Sequence, residues 1–381
     1  MQTEKKFLQY FFLVFFAVLT GYSFLIRASF YDEEGMPRLK KNGFEIVGEN
    51  LAGDYALFRL LEQKVSAPEA YQSEKISSFL HKIVHVNGRF YSFASPMKAF
   101  VSVPFLQLSY NDFVETWGFW GILLFGTALY TLLPLKKTVP LMFAFPAAFL
   151  SFSTGGWGVF IAAAVILALT LTEDYPKWAG FFAALCIVEP VAFIFIAAVF
   201  LCRRQKKAAV FCIGMGLSLL ILSWIRYQPA AFKAALSGAW TLLSETPCRF
   251  ASFASALSCN GMSLTGALIW QILLLFAVVY FGVQLFLRPS CPQAVQDAYL
   301  CAAICLASPF TSLGDYGLLY AGIAFLLRDS EGRGFLKGDY FFLLIAFASV
   351  YLEPFFFVVT GGSIQIFLSI ALLWISYRRS Y

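Results

Sequence analysis

Apolar segments of about 20 residues, the length of a transmembrane helix, recur along almost the whole chain. Hydrophobic residues make up 60% of the 381 residues, and charged residues only 13%. The pattern predicts an all-α polytopic membrane protein in which residues 1–381 form a single transmembrane domain. We expect a bundle of about 12 transmembrane helices, some of them short.

One long polar stretch, residues 27–115, interrupts this pattern directly after the first apolar span, Phe7–Leu25. We interpret that span as a retained signal anchor. The polar stretch carries many acids, both histidines and several lysines, and it predicts a large extracytoplasmic loop with interfacial helices. Channels and carriers more often have their acids at mid-membrane, so acids in the first loop favour chemistry at the membrane surface.

The short connections between apolar spans differ in charge, and this predicts the orientation of the chain. Basic connections such as Lys136-Lys137 and Arg203-Arg204 should be cytoplasmic. Both termini then lie in the cytoplasm, and residues 228–264 form a second extracytoplasmic loop. We expect a multi-pass protein of the bacterial inner (plasma) membrane whose active site faces the periplasm or exterior.

The apolar segment Trp178–Cys202 has basic residues at both ends, so both ends should be cytoplasmic. Proline ends a helix and glutamate is costly in lipid, and Glu189-Pro190 stands in the middle of the segment. We interpret the segment as a hairpin of two short helices with Glu189 at its outer tip. The alternative is a simple kink, which would invert the topology downstream.

The cysteines and the absence of common motifs narrow the chemistry. Cys248 and Cys259 share the second outer loop and could pair in an oxidising compartment or remain free thiols. The sequence contains no CxxC, P-loop, GxGxxG or HExxH motif, which disfavours nucleotide-driven and soluble redox chemistry. The absence of these motifs also leads us to expect no cofactor. The net charge of +6 mostly reflects membrane topology, so we expect no nucleic-acid partner.

Asp54 is the first candidate for a catalytic carboxylate. It lies near the start of the segment Leu51–Glu62, whose order of apolar and polar residues is typical of a short helix lying on the membrane. It could be an N-cap residue or a general base that deprotonates a hydroxyl. Asp32 is the rival base because it follows the first span directly.

The two histidines and a few outer cations are the candidates for ligand binding. His81 and His85 are spaced to share a helix face, so they could bind a divalent metal, donate to a phosphate, or simply form a solvated pair. Arg89, Lys98 and Arg249 are cations expected outside, where they would suit an anionic lipid phosphate.

In chain order, four motifs resemble those of the GT-C superfamily of membrane glycosyltransferases, the polyprenyl-phosphate-sugar-dependent type that includes protein and lipid mannosyltransferases. The motifs are Gly53-Asp54-Tyr55, Asn87-Gly88-Arg89-Phe90-Tyr91-Ser92 with Ser95-Pro96, Glu189-Pro190, and Ser308-Pro309 with Asp315-Tyr316. The chain departs from the family at several of these positions. Glu189 replaces a lysine, Asp315 replaces a histidine, and Met97-Lys98 replaces Pro-Gly.

The resemblance implies a GT-C-like bundle and an inverting transfer of a hexose such as mannose from a polyprenyl phosphate to a lipid, glycan or protein acceptor. It implies that Asp54 takes the proton of the acceptor hydroxyl. The substrate-binding residues expected on this basis are Tyr55, His85, Arg89, Tyr91, Lys98, Glu189, Arg249, Asp315 and Tyr316.

Two other classes of membrane protein fit part of the pattern. A flippase or transporter for a lipid-linked sugar would have its acids at mid-span, where only Glu189 and Glu353 could lie. A polysaccharide polymerase or ligase would have its largest outer loop late in the chain, whereas here the largest comes first.

Overall fold

The structure is a computed structural model that describes residues 40–41, 44–45, 49–84, 89–145, 151, 155–360 and 362–381. The first apolar span, Asp32 and His85 lie outside the described residues, as does the side chain of Arg249. The predictions made for those groups therefore stay predictions.

The described chain is almost entirely helical, as the sequence predicts. In chain order the helices are α1 Glu49–Glu62, α2 Ala67–Ala70, α3 Ser73–Val84, α4 Pro96–Ser102, α5 Tyr110–Leu132, α6 Leu135–Ala144, α7 Gly158–Thr170, α8 Pro176–Leu185, α9 Pro190–Cys202, α10 Lys206–Glu245, α11 Phe253–Cys259, α12 Leu264–Phe286, α13 Gln293–Ala307, α14 Gly317–Arg333, α15 Asp339–Thr360 and α16 Ile364–Arg379. A small antiparallel pair of two-residue strands, β1 Lys40–Lys41 and β2 Phe44–Glu45, precedes α1.

Two helices in the described part of the chain, α10 and α12, are long and apolar enough to cross a membrane. Large apolar side chains on them point away from the protein, for example Ile225, which is 75% exposed, and Phe276, which is 69% exposed. Several shorter helices, including α7, α8, α9 and α13, are also strongly apolar. An exposed apolar surface of this extent is expected where lipid covers the protein. The expected total of about 12 spans stays a prediction.

Helix α10 is broken at Gln228, which has φ 64° and ψ 162°, and Pro229 follows it. Proline removes a helical hydrogen bond, which accounts for a break at this position. The second half of α10 continues to Glu245, so the first half of the predicted outer loop 228–264 is helical. Helix α10 packs against α4 and the 3₁₀ turn Pro247–Arg249.

The apolar segment around Glu189 forms two helices, as the sequence predicts. Helix α8 and a 3₁₀ turn end at Val188, and Glu189 has the extended conformation φ −120°, ψ 93° before α9 begins at Pro190. Proline suits the first turn of a helix because the N–H it lacks would have no helical partner there.

Contacts with α10 give the direction of the two short helices. A Cβ on Gly180 of α8 would lie 2.7 Å from the carbonyl oxygen of Ala208, near the start of α10. A Cβ on Gly216, two turns further along α10, would lie 2.6 Å from the ring of Phe193 in α9. Since α9 then returns to the start of α10, the chain reverses direction at Glu189. This is the hairpin expected from the charges.

The C-terminal helix is fixed by buried ion pairs at the end of the bundle opposite the hairpin tip. Arg379, which is 3% exposed, donates to Asp329 at 2.5 Å and also pairs with Asp339. Its guanidinium further donates to the carbonyl oxygen of Gly334 at 3.0 Å. A planar guanidinium can satisfy several acceptors at once, which makes such buried pairing tolerable.

Candidate active site

Asp54 is a buried carboxylate within helix α1, not at its end. The helix begins at Glu49, so the N-cap interpretation of Asp54 is wrong. Leu57 and Phe58 of the same helix are fully buried, and Asp54 itself is only 8% exposed. A carboxylate buried in this way requires hydrogen-bond donors.

Ser92 supplies the first donor because α1 packs tightly against the non-helical segment 89–95. Gly53 allows this contact, since a Cβ there would lie 2.3 Å from the carbonyl oxygen of Tyr91. Ser92 directly follows Tyr91, and its hydroxyl donates to Asp54 Oδ1 at 2.6 Å. The same hydroxyl oxygen accepts from the Ala94 amide at 3.2 Å, which fixes its orientation.

Trp157 supplies the second donor from the start of α7. Its indole Nε1–H donates to Asp54 Oδ2 at 3.3 Å. The start of α7 also meets the segment that carries Asp315, because Gly158 packs against the backbone of Gly314 and Gly317. A Cβ on Gly158 would lie 2.1 Å from the Gly314 carbonyl oxygen, so only glycine permits the two backbones to approach this closely.

Lys98 and Glu189 form an ion pair beside this carboxylate. Lys98 lies on α4, and the hydroxyl of Ser95, just before that helix, donates to the Val188 carbonyl oxygen at 3.3 Å. This bond joins α4 to the hairpin tip. The lysine side chain is 12% exposed and the glutamate side chain 29% exposed. The partner of the Glu189 carboxylate in the described structure is therefore the ammonium group of Lys98.

Burial governs the ionisation of Asp54. It raises the pKa of the carboxyl group to about 6, against the opposing effects of the Lys98 charge and of the hydrogen bonds from Ser92 and Trp157. For Lys98, burial alone would lower the pKa, but the negative charges of Glu189, Asp315 and Asp54 together outweigh burial and raise it. Lys98 therefore stays protonated while Asp54 titrates near neutral pH.

Asp315 is the third carboxylate of the group. Its Oδ2 atom accepts from the amide and the hydroxyl of Ser312, at 2.9 and 2.7 Å, in a capping box at the start of a 3₁₀ turn. Its charge also acts on Lys98 and Asp54. We call the four residues Asp54, Lys98, Glu189 and Asp315 the charged cluster. It contains three carboxylates and one ammonium group.

Several residues expected at the site have other partners. The hydroxyl of Tyr55 donates to the Leu108 carbonyl oxygen at 2.9 Å, and the hydroxyl of buried Tyr316 donates to the Ala251 carbonyl oxygen at 2.7 Å. Exposed Arg89 donates to Glu74 at 3.4 Å.

The remaining expected site residues contribute less to the cluster. Tyr91 carries the guanidinium of Arg89 over its ring at 5.3 Å, and its backbone forms the contact with Gly53. The backbone of Arg249 ends the 3₁₀ turn Pro247–Arg249 that follows α10.

An apolar groove of about 410 Å³ opens next to the charged cluster. Its walls come from α4, α5, α7 and α8, and they consist almost entirely of apolar atoms. The lining residues include Ser102, Trp117, Trp120, Trp157, Ala164 and Val188. Trp157 thus faces both the groove and Asp54, and Val188 directly precedes Glu189.

The model of glycosyltransferase family 87 matches residues 95–309, which is more than half of the chain. The chain belongs to glycosyltransferase family 87. Together with the two apolar helices, this membership indicates a membrane glycosyltransferase. Lys98, Trp157 and Glu189 lie within the matched residues, whereas Asp54 and Asp315 lie outside them. No curated protein and no solved structure matches the chain.

Two residues that bind Asp54 were not among the site residues expected from the sequence. Ser92 stands in the motif that includes Arg89 and Tyr91. Of these three residues, only the cation Arg89 and the aromatic Tyr91 were predicted to bind substrate. Trp157 stands in a short glycine-rich connection, Gly155-Gly156-Trp157-Gly158. A tryptophan between glycines at a helix start is the signal that could have identified it.

Within the described residues, no group of three or more histidine, cysteine, aspartate and glutamate side chains is arranged to hold a metal ion. The partner of Glu189 there is the ammonium group of Lys98.

Proposed function

We propose that this glycosyltransferase moves a sugar from a polyprenyl-phosphate donor to a hydroxyl of a lipid, glycan or protein acceptor, with Asp54 as general base. The single observation that carries the proposal is the position of Asp54. It is a buried carboxylate with a pKa of about 6, bound by Trp157, which also lines the apolar groove. A base is most effective when its pKa lies near the working pH.

The reaction is a single displacement in which the acceptor oxygen attacks the anomeric carbon from the side opposite the phosphate. Asp54 accepts the hydroxyl proton as the new C–O bond forms. The bond between the anomeric carbon and the phosphate oxygen breaks, and its electron pair leaves with the phosphate. Among the described residues each oxygen of Asp54 has one donor, and a carboxylate oxygen can accept a second hydrogen bond.

Lys98 is the group we assign to the phosphate. An ammonium group has three N–H donors, and Glu189 occupies at least one of them. Unit charges 4 Å apart interact by about 4 kcal/mol at an effective dielectric of 20. A phosphate in contact with Lys98 gains an attraction of this order, which the negative charges near Lys98 oppose, so the phosphate must approach from the side away from Glu189 and Asp315. Glu189 then acts as a positioning residue for Lys98.

The apolar groove is the natural site for the lipid chain of such a donor. Ligand pockets of about 300–1,000 Å³ with apolar walls and a few polar groups at one end are typical of ligand sites in proteins. Here the groove measures about 410 Å³ and meets the charged cluster at Trp157 and Val188. A nucleotide-linked sugar has no apolar tail to bury there.

We further propose that the chain forms one transmembrane domain, 1–381, whose loops 27–115 and 228–264 face the exterior. The disulfide between Cys248 and Cys259 supports this orientation, because disulfides persist in oxidising compartments. On this arrangement Asp32 lies on the same side of the membrane as Asp54 and is the alternative base.

The test is a comparison of donors with the purified protein. One radiolabelled sugar is offered as a polyprenyl-phosphate conjugate and as a nucleotide conjugate, and transfer is measured. We expect transfer from the lipid donor alone. Transfer from the nucleotide conjugate at an equal rate would contradict the proposal, and outward movement of a fluorescent donor without transfer would indicate a carrier.

A matched pair of variants tests the groove. Ala164→Leu narrows it and should raise KM for the lipid donor several-fold with little change in kcat. Ala197→Leu fills an equally buried position on α9 that does not line the groove, and it should leave both constants unchanged.

A further inference from the structure

The second outer loop contains a segment closed by a covalent bond. Cys248 and Cys259 form a disulfide, and their Cα atoms are 5.3 Å apart. We call residues 248–259 the disulfide loop. It contains α11 and begins in the 3₁₀ turn that follows α10.

The interior of the disulfide loop is ordered by short hydrogen bonds. The Ser255 hydroxyl donates to the Phe250 carbonyl oxygen at 2.6 Å, and the Ser255 amide donates to the Ser252 hydroxyl at 3.1 Å. The loop is also fastened to α12, because the Ala254 amide donates to Gln271 Oε1 at 3.0 Å. The disulfide loop is therefore a compact unit that is anchored to α12.

One side of the disulfide loop binds the segment that carries Asp315. The Ala251 amide donates to the Thr311 carbonyl oxygen at 2.8 Å, and the Ala251 carbonyl oxygen accepts from the Tyr316 hydroxyl at 2.7 Å. These two bonds lie on either side of Asp315 in the sequence. A shift of Ala251 would therefore move the segment that carries this carboxylate.

The other side of the loop packs on the segment that carries Ser92. The ring of Phe250 lies 5.0 Å from the ring of Phe93 and 6.0 Å from the ring of Phe310. Phe93 directly follows Ser92, whose hydroxyl donates to Asp54. The adjacent residues Phe250 and Ala251 thus contact both segments that border the charged cluster.

We propose that the disulfide loop is a positioning element for the transfer reaction. The Cys248–Cys259 bond keeps Phe250 and Ala251 in register, and they hold the Ser92 and Asp315 segments at the spacing that orients Asp54. This inference rests on the proposed function. Reduction by a dithiol adds two electrons and two protons to the sulfur atoms, opens the loop and loosens both segments.

A displacement of about 1 Å in a catalytic site can lower the rate about 100-fold. We therefore expect the double variant Cys248→Ser/Cys259→Ser to lower kcat between about ten-fold and 100-fold, with KM for the donor changed less than three-fold. We expect a small effect on KM because, in the part of the chain that the structure describes, no residue of the disulfide loop lines the groove. A dithiol should lower kcat of the native protein by the same factor, and oxidation should restore it.

Three controls separate positioning from general stability. Leu372→Ala creates a cavity in α16, away from the site, and should lower the melting temperature while keeping kcat. The dithiol should have no effect on the double serine variant. Phe250→Ala should lower kcat with the disulfide intact, and Phe250→Tyr should retain most of it.

The proposal is overturned if the double serine variant keeps kcat within two-fold of the native protein, or if Leu372→Ala lowers kcat as much at an equal melting temperature. The assay uses whichever sugar donor the native protein accepts. Failure of the polyprenyl-phosphate donor would therefore refute the proposed function, while the disulfide result would still decide the role of the loop.

Discussion

Replacing Asp54 by asparagine should abolish transfer and at the same time make the protein more stable at neutral pH. Asparagine has the shape of the neutral acid but cannot accept a proton. Loss of a general base typically lowers the rate by about 10²–10⁴. The gain in stability follows from the pKa, because the fold favours the protonated form of this carboxyl group.

The pKa shift of Asp54 gives the size of this effect on the free energy of unfolding. Burial raises the pKa of Asp54 from 3.8 to about 6, and one pKa unit corresponds to about 1.4 kcal/mol. The native state therefore binds the proton more tightly than the unfolded state. The free energy of unfolding falls as pH rises from about 4 to 6 and is lower by about 3 kcal/mol at pH 7.5.

Asparagine removes this cost but also loses a hydrogen bond. Its amide nitrogen takes the place of Oδ2 and cannot accept from Trp157, which costs about 1 kcal/mol. The net gain at pH 7.5 is therefore about 2 kcal/mol, and it should shrink as the pH falls toward 4. A stabilising substitution that removes activity is expected at a strained functional site.

Thermal unfolding in detergent at pH 5 and pH 7.5, together with transfer assays, measures both effects. Asp174→Asn, at an exposed aspartate, is the matched control and should change neither quantity. The reasoning is refuted if Asp54→Asn is less stable than the native protein at pH 7.5, or if the difference does not depend on pH. Near-normal turnover of Asp54→Asn with an inactive Asp32→Asn would make Asp32 the base.

Three other predictions follow from the same geometry. Since protonated Asp54 cannot accept the acceptor proton, kcat/KM should fall about ten-fold per unit below a pH of about 6; an acid limb that begins below pH 5 would identify another base. Glu189→Gln should change KM for the donor modestly while EDTA has no effect, and EDTA inhibition reversed by Mn²⁺ would instead make Glu189 a metal ligand. Gly53→Ala should lower both melting temperature and transfer, because its Cβ meets the Tyr91 carbonyl oxygen at 2.3 Å, whereas Gly238→Ala has open space and should lower neither.

Sequence reasoning succeeded where the signal is local. The apolar pattern of Leu51–Glu62 predicted helix α1, which the structure has from Glu49 to Glu62. The break at Glu189 was predicted from a proline and from basic residues at both ends of one apolar segment. Both depend only on residues close together in the chain, so one sequence suffices to predict them.

The partners of Asp54 could not be predicted in the same way. Ser92 and Trp157 reach this carboxylate from positions 38 and 103 residues away in the chain. Periodicity indicates which face of a helix is buried but not which segment packs on it. The contacts of Asp54 depend on two places where backbones approach closely, Gly53 against Tyr91 and Gly158 against Gly314. Such an approach can be recognised only when the positions of both segments are known.

The two tyrosines of the motifs have hydrogen-bond partners outside the charged cluster, and their roles in substrate binding stay predictions. Tyr55 and Tyr316 were expected at the substrate because each follows an acid of the motif. Neighbouring residues on a helix point in directions about 100° apart, so Tyr55 turns away from Asp54 and packs against Tyr110 and Phe113. Tyr316 is buried, and its hydroxyl donates to Ala251 of the disulfide loop.

The stereochemistry of a single turnover tests the role of Asp54 most directly. Purified protein is mixed with an anomerically pure polyprenyl-phosphate sugar and an acceptor, and the anomeric configuration of the product is determined by NMR. The account predicts an inverted product from the native protein and, from Asp54→Asn, product formation slowed by about 10²–10⁴. A retained configuration, or transfer by Asp54→Asn at the native rate, would contradict a single displacement with Asp54 as its base.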